Sequence, residues 1–239
     1  MKDTVKIEKG RVLMVAHRGV SGIECENTNA AFVAAANRSY FGIETDVHVT
    51  KDGKYVLFHD DNTERVSGVS MIVEESNWDD LRVLRLHEKD GTEREDLVIP
   101  QLVDYIKICK KYGKVAVLEL KRRMTYEQIA EIVDIIKGED YLDEVIFISF
   151  SFDNLVDLRK IVPGQAAQFL ASHLTDEVIE RISEHKFDLD VYYEELNAEW
   201  MEKLHSRNIT VNCWTCDSPE RAAELIAMGI DQITTNILE

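Results

Sequence analysis

Three pairs of polar side chains stand at the ends of short apolar runs: His17 with Arg18, Glu44 with Asp46, and Glu119 with Lys121. Side chains two apart on a strand point the same way, so Glu44 and Asp46 share a face, as do Glu119 and Lys121. Charges placed there are costly unless they face a polar site or a metal. Three carboxylates converging on one point repel one another, and a divalent cation removes the repulsion. Ligation by oxygen alone favours Mg2+ or Ca2+ over Zn2+. A second imidazole, His59, follows a turn signal, Lys51-Asp52-Gly53-Lys54, and a strand-like Tyr55-Val56-Leu57-Phe58. With Asp52-Gly53 as the turn centre, Lys51 faces Lys54 and Asp46 faces His59. Two imidazoles beside a cation and an arginine suit a general acid and a general base. Taken singly, each feature has a plainer reading: a hydrogen-bonded histidine, a solvated E-x-D face, a surface ion pair of little energetic consequence. Their common location favours chemistry.

That location follows from the elements that carry them. Apolar, β-branched runs at 12–16, 42–49, 115–120, 145–149, 167–171, 189–193, 210–214 and 232–235 alternate with amphipathic stretches at 28–38, 102–112, 126–137, 152–161, 176–185, 198–206 and 219–228. Eight strands with helical crossovers form a parallel sheet. At 239 residues the pattern predicts an α/β fold: a (β/α)8 TIM-type barrel, one domain over 1–239, with a hairpin and a small insertion after the second strand. An open doubly wound sheet is disfavoured, because Ala16-His17-Arg18-Gly19-Val20-Ser21-Gly22 contains no phosphate-binding glycine fingerprint. In such a barrel the site lies at the C-terminal ends of the strands, where all these residues fall. The insertion, 61–100, is polar and weakly patterned, with a helix expected only at 78–86.

Composition sets the outer bounds. Apolar residues make up 45 % and charged residues 31 %, an ordinary globular balance. The net charge of −17 opposes nucleic acid and anionic membranes as partners but leaves room for a small anion held by local cations. No apolar window is long enough to span a membrane, and Met1–Glu8 has no signal-peptide character. The four cysteines imply no disulfide framework, so a reducing cytoplasm is expected.

At these residues the chain resembles the glycerophosphodiester phosphodiesterase family. The matching motifs are His17-Arg18-Gly19, Glu26-Asn27-Thr28, Glu44-Thr45-Asp46, Thr50-Lys51-Asp52-Gly53, His59-Asp60 and Glu119-Leu120-Lys121. The resemblance implies a TIM-type barrel and a divalent metal held by Glu44, Asp46 and Glu119. It implies an acid–base pair in His17 and His59, with Arg18 and Lys121 near the phosphate. The implied substrate is a small glycerophosphodiester, cleaved to an alcohol and sn-glycerol 3-phosphate through attack of a substrate hydroxyl on phosphorus. Cys25 replaces the family's proline before E-N-T, and the last strand ends Thr234-Thr235-Asn236 where an acid is usual. Action on intact lipids, and a non-catalytic phosphate-binding barrel, are the alternatives.

Other residues have plainer expectations. Trp214 is a candidate wall of the substrate pocket, with barrel-core packing as the alternative. Cys213 and Cys216 form a C-x-x-C across a strand end, which suits neither a zinc site nor a redox helix. His48 is expected at the rim of the hairpin, and His87, His185 and His205 at the surface. His173 ends a strand, within possible reach of the site.

Overall fold

In the computed structural model, residues 3–88 and 90–239 are described. Met1 and Lys2, which begin the N-terminal stretch read above, and Lys89 of the insertion lie outside them. The strands are β1 (Leu13–Ala16), β2 (Gly42–Val49), β3 (Tyr55–Leu57), β4 (Val115–Leu120), β5 (Val145–Ser149), β6 (Ala167–Ala171), β7 (Asp188–Tyr192), β8 (Val211–Trp214) and β9 (Gln232–Thr235). The helices are α1 (Asn29–Ala36), α2 (Glu64–Ser67), α3 (Trp78–Leu81), α4 (Leu102–Tyr112), α5 (Tyr126–Gly138), α6 (Phe152–Ile161), α7 (Asp176–His185), α8 (Ala198–His205) and α9 (Pro219–Ala227). Eight strands pair in parallel, and β1 pairs with both β9 and β2, which closes the barrel. The ninth, β3, runs antiparallel to β2. The expected TIM-type barrel is therefore present.

Local chemistry sets the helix boundaries. Thr28, Thr125, Thr175, Asn197 and Ser218 each accept a backbone N–H in the first turn of the following helix. The apolar faces of the helices then pack on the outside of the barrel. Alternate residues such as Leu189 and Val191 point outward into this layer and are fully buried there. Among the described residues, no helix is long and apolar enough to cross a membrane.

The hairpin departs from the expected register by one residue. Val47 faces Leu57 and His48 faces Val56, so Phe58, not His59, lies opposite Asp46 and donates its N–H to the Asp46 carbonyl at 3.0 Å. The cause is a three-residue loop, Lys51 to Gly53, with Gly53 at φ +73°. Thr50 shapes that loop. Its hydroxyl donates to Asp52 at 2.7 Å and accepts the Lys54 N–H at 2.9 Å.

The insertion also departs from expectation. It carries α2 where no helix was expected, and α3 stops at Leu81 instead of running to residue 86. The chain then turns, with the Leu84 N–H donating to the Leu81 carbonyl at 3.1 Å, and the Leu86 N–H donates to the Leu97 carbonyl at 2.9 Å. With Val73, Leu81, Leu97 and Ile99, Leu84 and Leu86 form a small core of their own over Val56, Phe58 and Cys25. Cys25 therefore meets the insertion as a buried apolar side chain. The insertion also covers His48, which is fully buried instead of at the rim, 3.3 Å from Glu74.

Candidate active site

Register brings the acids together. β2 and β4 pair so that Asp46 is the direct neighbour of Glu119, and Glu44 lies two residues back on the same face. The carboxylates of Glu44, Asp46 and Glu119 are buried and offer ligand atoms within 4.8 Å of one another.

The loop after β1 supplies the next layer. His17 is its first residue, and Arg18 follows with φ +52°. That left-handed turn aims the Arg18 N–H at Glu44, 2.8 Å away. Gly19 is required here, since a Cβ would lie 2.6 Å from Ala31 Cβ. Asn27 then clamps β2 from the side: its Nδ2 donates to Asp46 at 2.8 Å and its Oδ1 accepts from Thr45 at 2.7 Å. Thr28 caps α1, so consecutive residues of the Glu-Asn-Thr motif hold Arg18, Asp46 and a helix start.

The charges are uneven. Burial and the neighbouring Asp46 push Glu44 well above the usual carboxylate range and Glu119 up to about 8. Burial acts on Asp46 too, but Lys121 and Arg18 outweigh it and hold this acid well below its usual range. Lys121 Nζ lies 3.0 Å from Glu119 and 3.3 Å from Asp46, and Arg18 Nε is 3.7 Å from Asp46. Only when all three buried acids are ionised, as a bound cation requires, do they and the two cations Arg18 and Lys121 sum to one net negative charge. That set of oxygen donors fits a hard divalent cation.

A pocket of about 130 Å³ opens on this cluster. His17, Arg18, Glu44, Asp46, His59 and Glu119 all line it, as does Trp214. Lys121 is not among the lining residues, and its ammonium pairs with both Asp46 and Glu119. His59 arrives after the chain has left β3, and its Nδ1 sits 2.6 Å from Asp60 Oδ1. His17 Nδ1 sits 2.8 Å from Asn236 Oδ1. Burial, with Arg18, lowers the His17 imidazole to about 4, and burial lowers His59 against the pull of Asp46. A larger cleft of about 650 Å³ lies between the hairpin tip, α4 and α5 and shares no lining residue with the site.

Several residues here carried no assigned role in the sequence reading. Phe150 meets Trp214 edge to face at 5.6 Å on the pocket wall. Asp190 also lines the pocket, buried, with Oδ1 lacking a partner. Its signal was present in the alternation Asp188-Leu189-Asp190-Val191, which turns the acids inward. Asn236 and Asp217 converge from separate loops. His173 is exposed beside Glu195 and takes no part. Cys213 and Cys216 are buried free thiols, raised above the ordinary range chiefly by burial.

A closed parallel barrel with acids, imidazoles and cations at the C-terminal ends of its strands defines a (β/α)8 enzyme built for an anionic substrate. The chain belongs to the glycerophosphoryl diester phosphodiesterase family, whose model matches residues 17–239, and so to the enzymes that hydrolyse glycerophosphodiesters. It is similar to a glycerophosphodiester phosphodiesterase of Caldanaerobacter subterraneus subsp. tengcongensis, 28 % identical over 229 residues, covering 95 % of this chain and 94 % of that one. The crystal structure of a glycerophosphodiester phosphodiesterase from Parabacteroides distasonis superposes with a TM-score of 0.78 at 26 % identity, over 98 % of this chain and 94 % of that one. An Oleispira antarctica phosphodiesterase, solved with its product sn-glycerol-3-phosphate, shares the fold with a TM-score of 0.81 at 22 % identity, over 97 % and 95 % of the two chains.

Proposed function

We propose that this enzyme is metal-dependent and cleaves small glycerophosphodiesters to an alcohol and sn-glycerol 3-phosphate, with His17 and His59 as its acid–base pair. The observation that carries the reading is that both imidazoles and the three-carboxylate cluster line one pocket. The product complex of the Oleispira antarctica structure supports the choice of glycerol phosphate. Glu44, Asp46 and Glu119 would hold the ion, which when bound offsets negative charge on the phosphoryl oxygens, and Mg2+ and Ca2+ both suit its oxygen ligands. Arg18 faces the phosphate from the pocket wall, and Lys121 keeps the carboxylates in place. Trp214 walls the alcohol side.

In the first step a substrate hydroxyl beside the phosphodiester attacks phosphorus. One imidazole takes its proton, and the other gives a proton to the departing alcohol as the ester bond breaks. Water then adds to the cyclic phosphate with the two roles exchanged, and the ring opens to the monoester. Four free thiols and a net charge of −17 support a reducing cytoplasmic setting without nucleic-acid partners.

The test is release of sn-glycerol 3-phosphate from glycerophosphocholine with EDTA, Mg2+ or Ca2+. Loss of activity in EDTA and a fall of about 100-fold or more in His17→Ala and His59→Ala are expected. Variants as active as the wild type would overturn the mechanism. A second reading, lipid-tailed substrates, draws on the exposed apolar Val69, Ile72 and Val83 of the insertion. Comparing a lysophospholipid with its deacylated head group separates the two.

A further inference from the structure

We propose that Asn236 and Asp217 are a positioning pair that fixes the tautomer of His17, an inference that rests on the reading of His17 as catalytic. Just past β9, Asn236 Oδ1 lies 2.8 Å from His17 Nδ1 and 2.6 Å from Ser21 Oγ. An amide left to itself can present either of its ends to an imidazole. Here the other end is tied down, because Nδ2 donates to Asp217 Oδ2 at 2.6 Å. Asp217 lies in the loop between β8 and α9. Its Oδ1 accepts the Asn236 backbone N–H at 2.7 Å and the Thr235 hydroxyl at 2.9 Å.

Donor and acceptor inventories settle the rest. An ionised carboxylate only accepts, so the amide nitrogen must face Asp217 and the amide oxygen must face His17. That oxygen only accepts, so Nδ1 of His17 carries the proton. The lone pair is then on Nε2, the one ring nitrogen left for the pocket that His17 lines. His59 is oriented more directly, by the Asp60 carboxylate at 2.6 Å. The neutral amide at the end of the last strand therefore works under the control of an acid from the preceding loop. Asp217 acts through Asn236 and never touches the imidazole.

The experiment pairs NMR of the His17 ring nitrogens in the intact, 15N-labelled protein with steady-state kinetics on glycerophosphocholine. Four proteins are compared: wild type, Asp217→Asn, Asn236→Ala, and the exchange Asn236→Asp with Asp217→Asn. The wild type should carry its proton on Nδ1. Asp217→Asn and Asn236→Ala should show mixed tautomers, with kcat down about 10- to 100-fold and KM within about two-fold. The exchange should restore the Nδ1 proton and most of kcat, because an acid at 236 still accepts from His17 while an amide at 217 can donate to it. A wild type protonated on Nε2 would overturn the proposal. So would an Asp217→Asn protein with unchanged tautomer and kcat, or a folded exchange variant that does not regain the Nδ1 proton. If instead the wild type shows the expected tautomer but hydrolyses no glycerophosphodiester, the functional reading fails and the positioning geometry stands.

Discussion

Arg65, on the insertion, grips Glu26 with two hydrogen bonds, 2.6 Å from Nη2 and 3.0 Å from Nη1, while its Nε reaches Asp60 at 2.6 Å. Glu26 in turn holds Arg18 at 2.8 Å, and Asp60 holds His59 at 2.6 Å. One guanidinium thus links Arg18, through Glu26, to His59, through Asp60, and both end residues line the pocket. The insertion is tied into the site by this bond.

Removing that guanidinium should impair activity more than stability. Arg65 is 48 % exposed, so Arg65→Ala should cost no more than about 1 kcal/mol in urea unfolding. With Asp60 and Glu26 released, kcat/KM should fall about 10- to 100-fold. Arg65→Lys should not rescue it, because an ammonium cannot span both acids in the fork geometry. Full activity in Arg65→Ala would show that His59 is positioned without the insertion.

Metal binding should release protons at neutral pH. Burial, then Asp46, raises Glu119 from 4.5 to about 8, so the metal-free protein keeps this acid protonated below that pH. The sign for folding follows: the unfolded chain sheds this proton at about 4.5 and the folded one near 8. The contribution of Glu119 is therefore full below 4.5 and is lost as pH rises through 8. A bound cation needs the carboxylate ionised, so its affinity should rise over the same interval. Calorimetric titration with Mg2+ or Ca2+ at pH 7, in buffers of different ionisation enthalpy, should give a buffer-dependent heat. A buffer-independent heat would mean that Glu119, and Glu44 with it, is already ionised.

The barrel and the acid cluster were legible because both follow from simple periods. Side chains two apart on β2 and β4 share a face, and the parallel register of Asp46 with Glu119 sets them level. The approach of His59 was anticipated for the wrong reason. A hydroxyl bond from Thr50 to Asp52 added one residue to the hairpin loop, and His59 reaches the site only because the chain leaves the sheet after Leu57. The core of the insertion was hidden because Leu81, Leu84, Leu86 and Leu97 follow neither a helical nor a strand period. The meeting of Asn236 with Asp217 was hidden too, since it depends on two loops that only the closed barrel brings together.

Asn27 should matter to stability as much as to geometry. It is buried, its amide satisfies Asp46 and Thr45, and its backbone has φ +52°. Asn27→Ala leaves both partners short and puts an ordinary residue in a left-handed conformation, at a combined cost of about 2–4 kcal/mol. Asn27→Gly loses the same hydrogen bonds but not the backbone preference. It should therefore be less destabilised than Asn27→Ala in urea unfolding. The reverse order would mean that the left-handed backbone carries no cost here.

The aromatic wall predicts a preference among alcohols. Trp214 packs edge to face with Phe150 at 5.6 Å and against Tyr192 at 5.7 Å, and Phe150 is exposed enough to meet a departing group. The faces of such rings attract a quaternary ammonium and are indifferent to a neutral polyol. Phe150→Ala and Trp214→Ala should therefore lower kcat/KM for glycerophosphocholine by about 2- to 30-fold, mainly through KM, and leave glycerophosphoglycerol nearly unchanged. Equal losses on both substrates would mean that the rings only shape the pocket. A loss confined to kcat would place them against the reacting phosphate instead of the leaving alcohol.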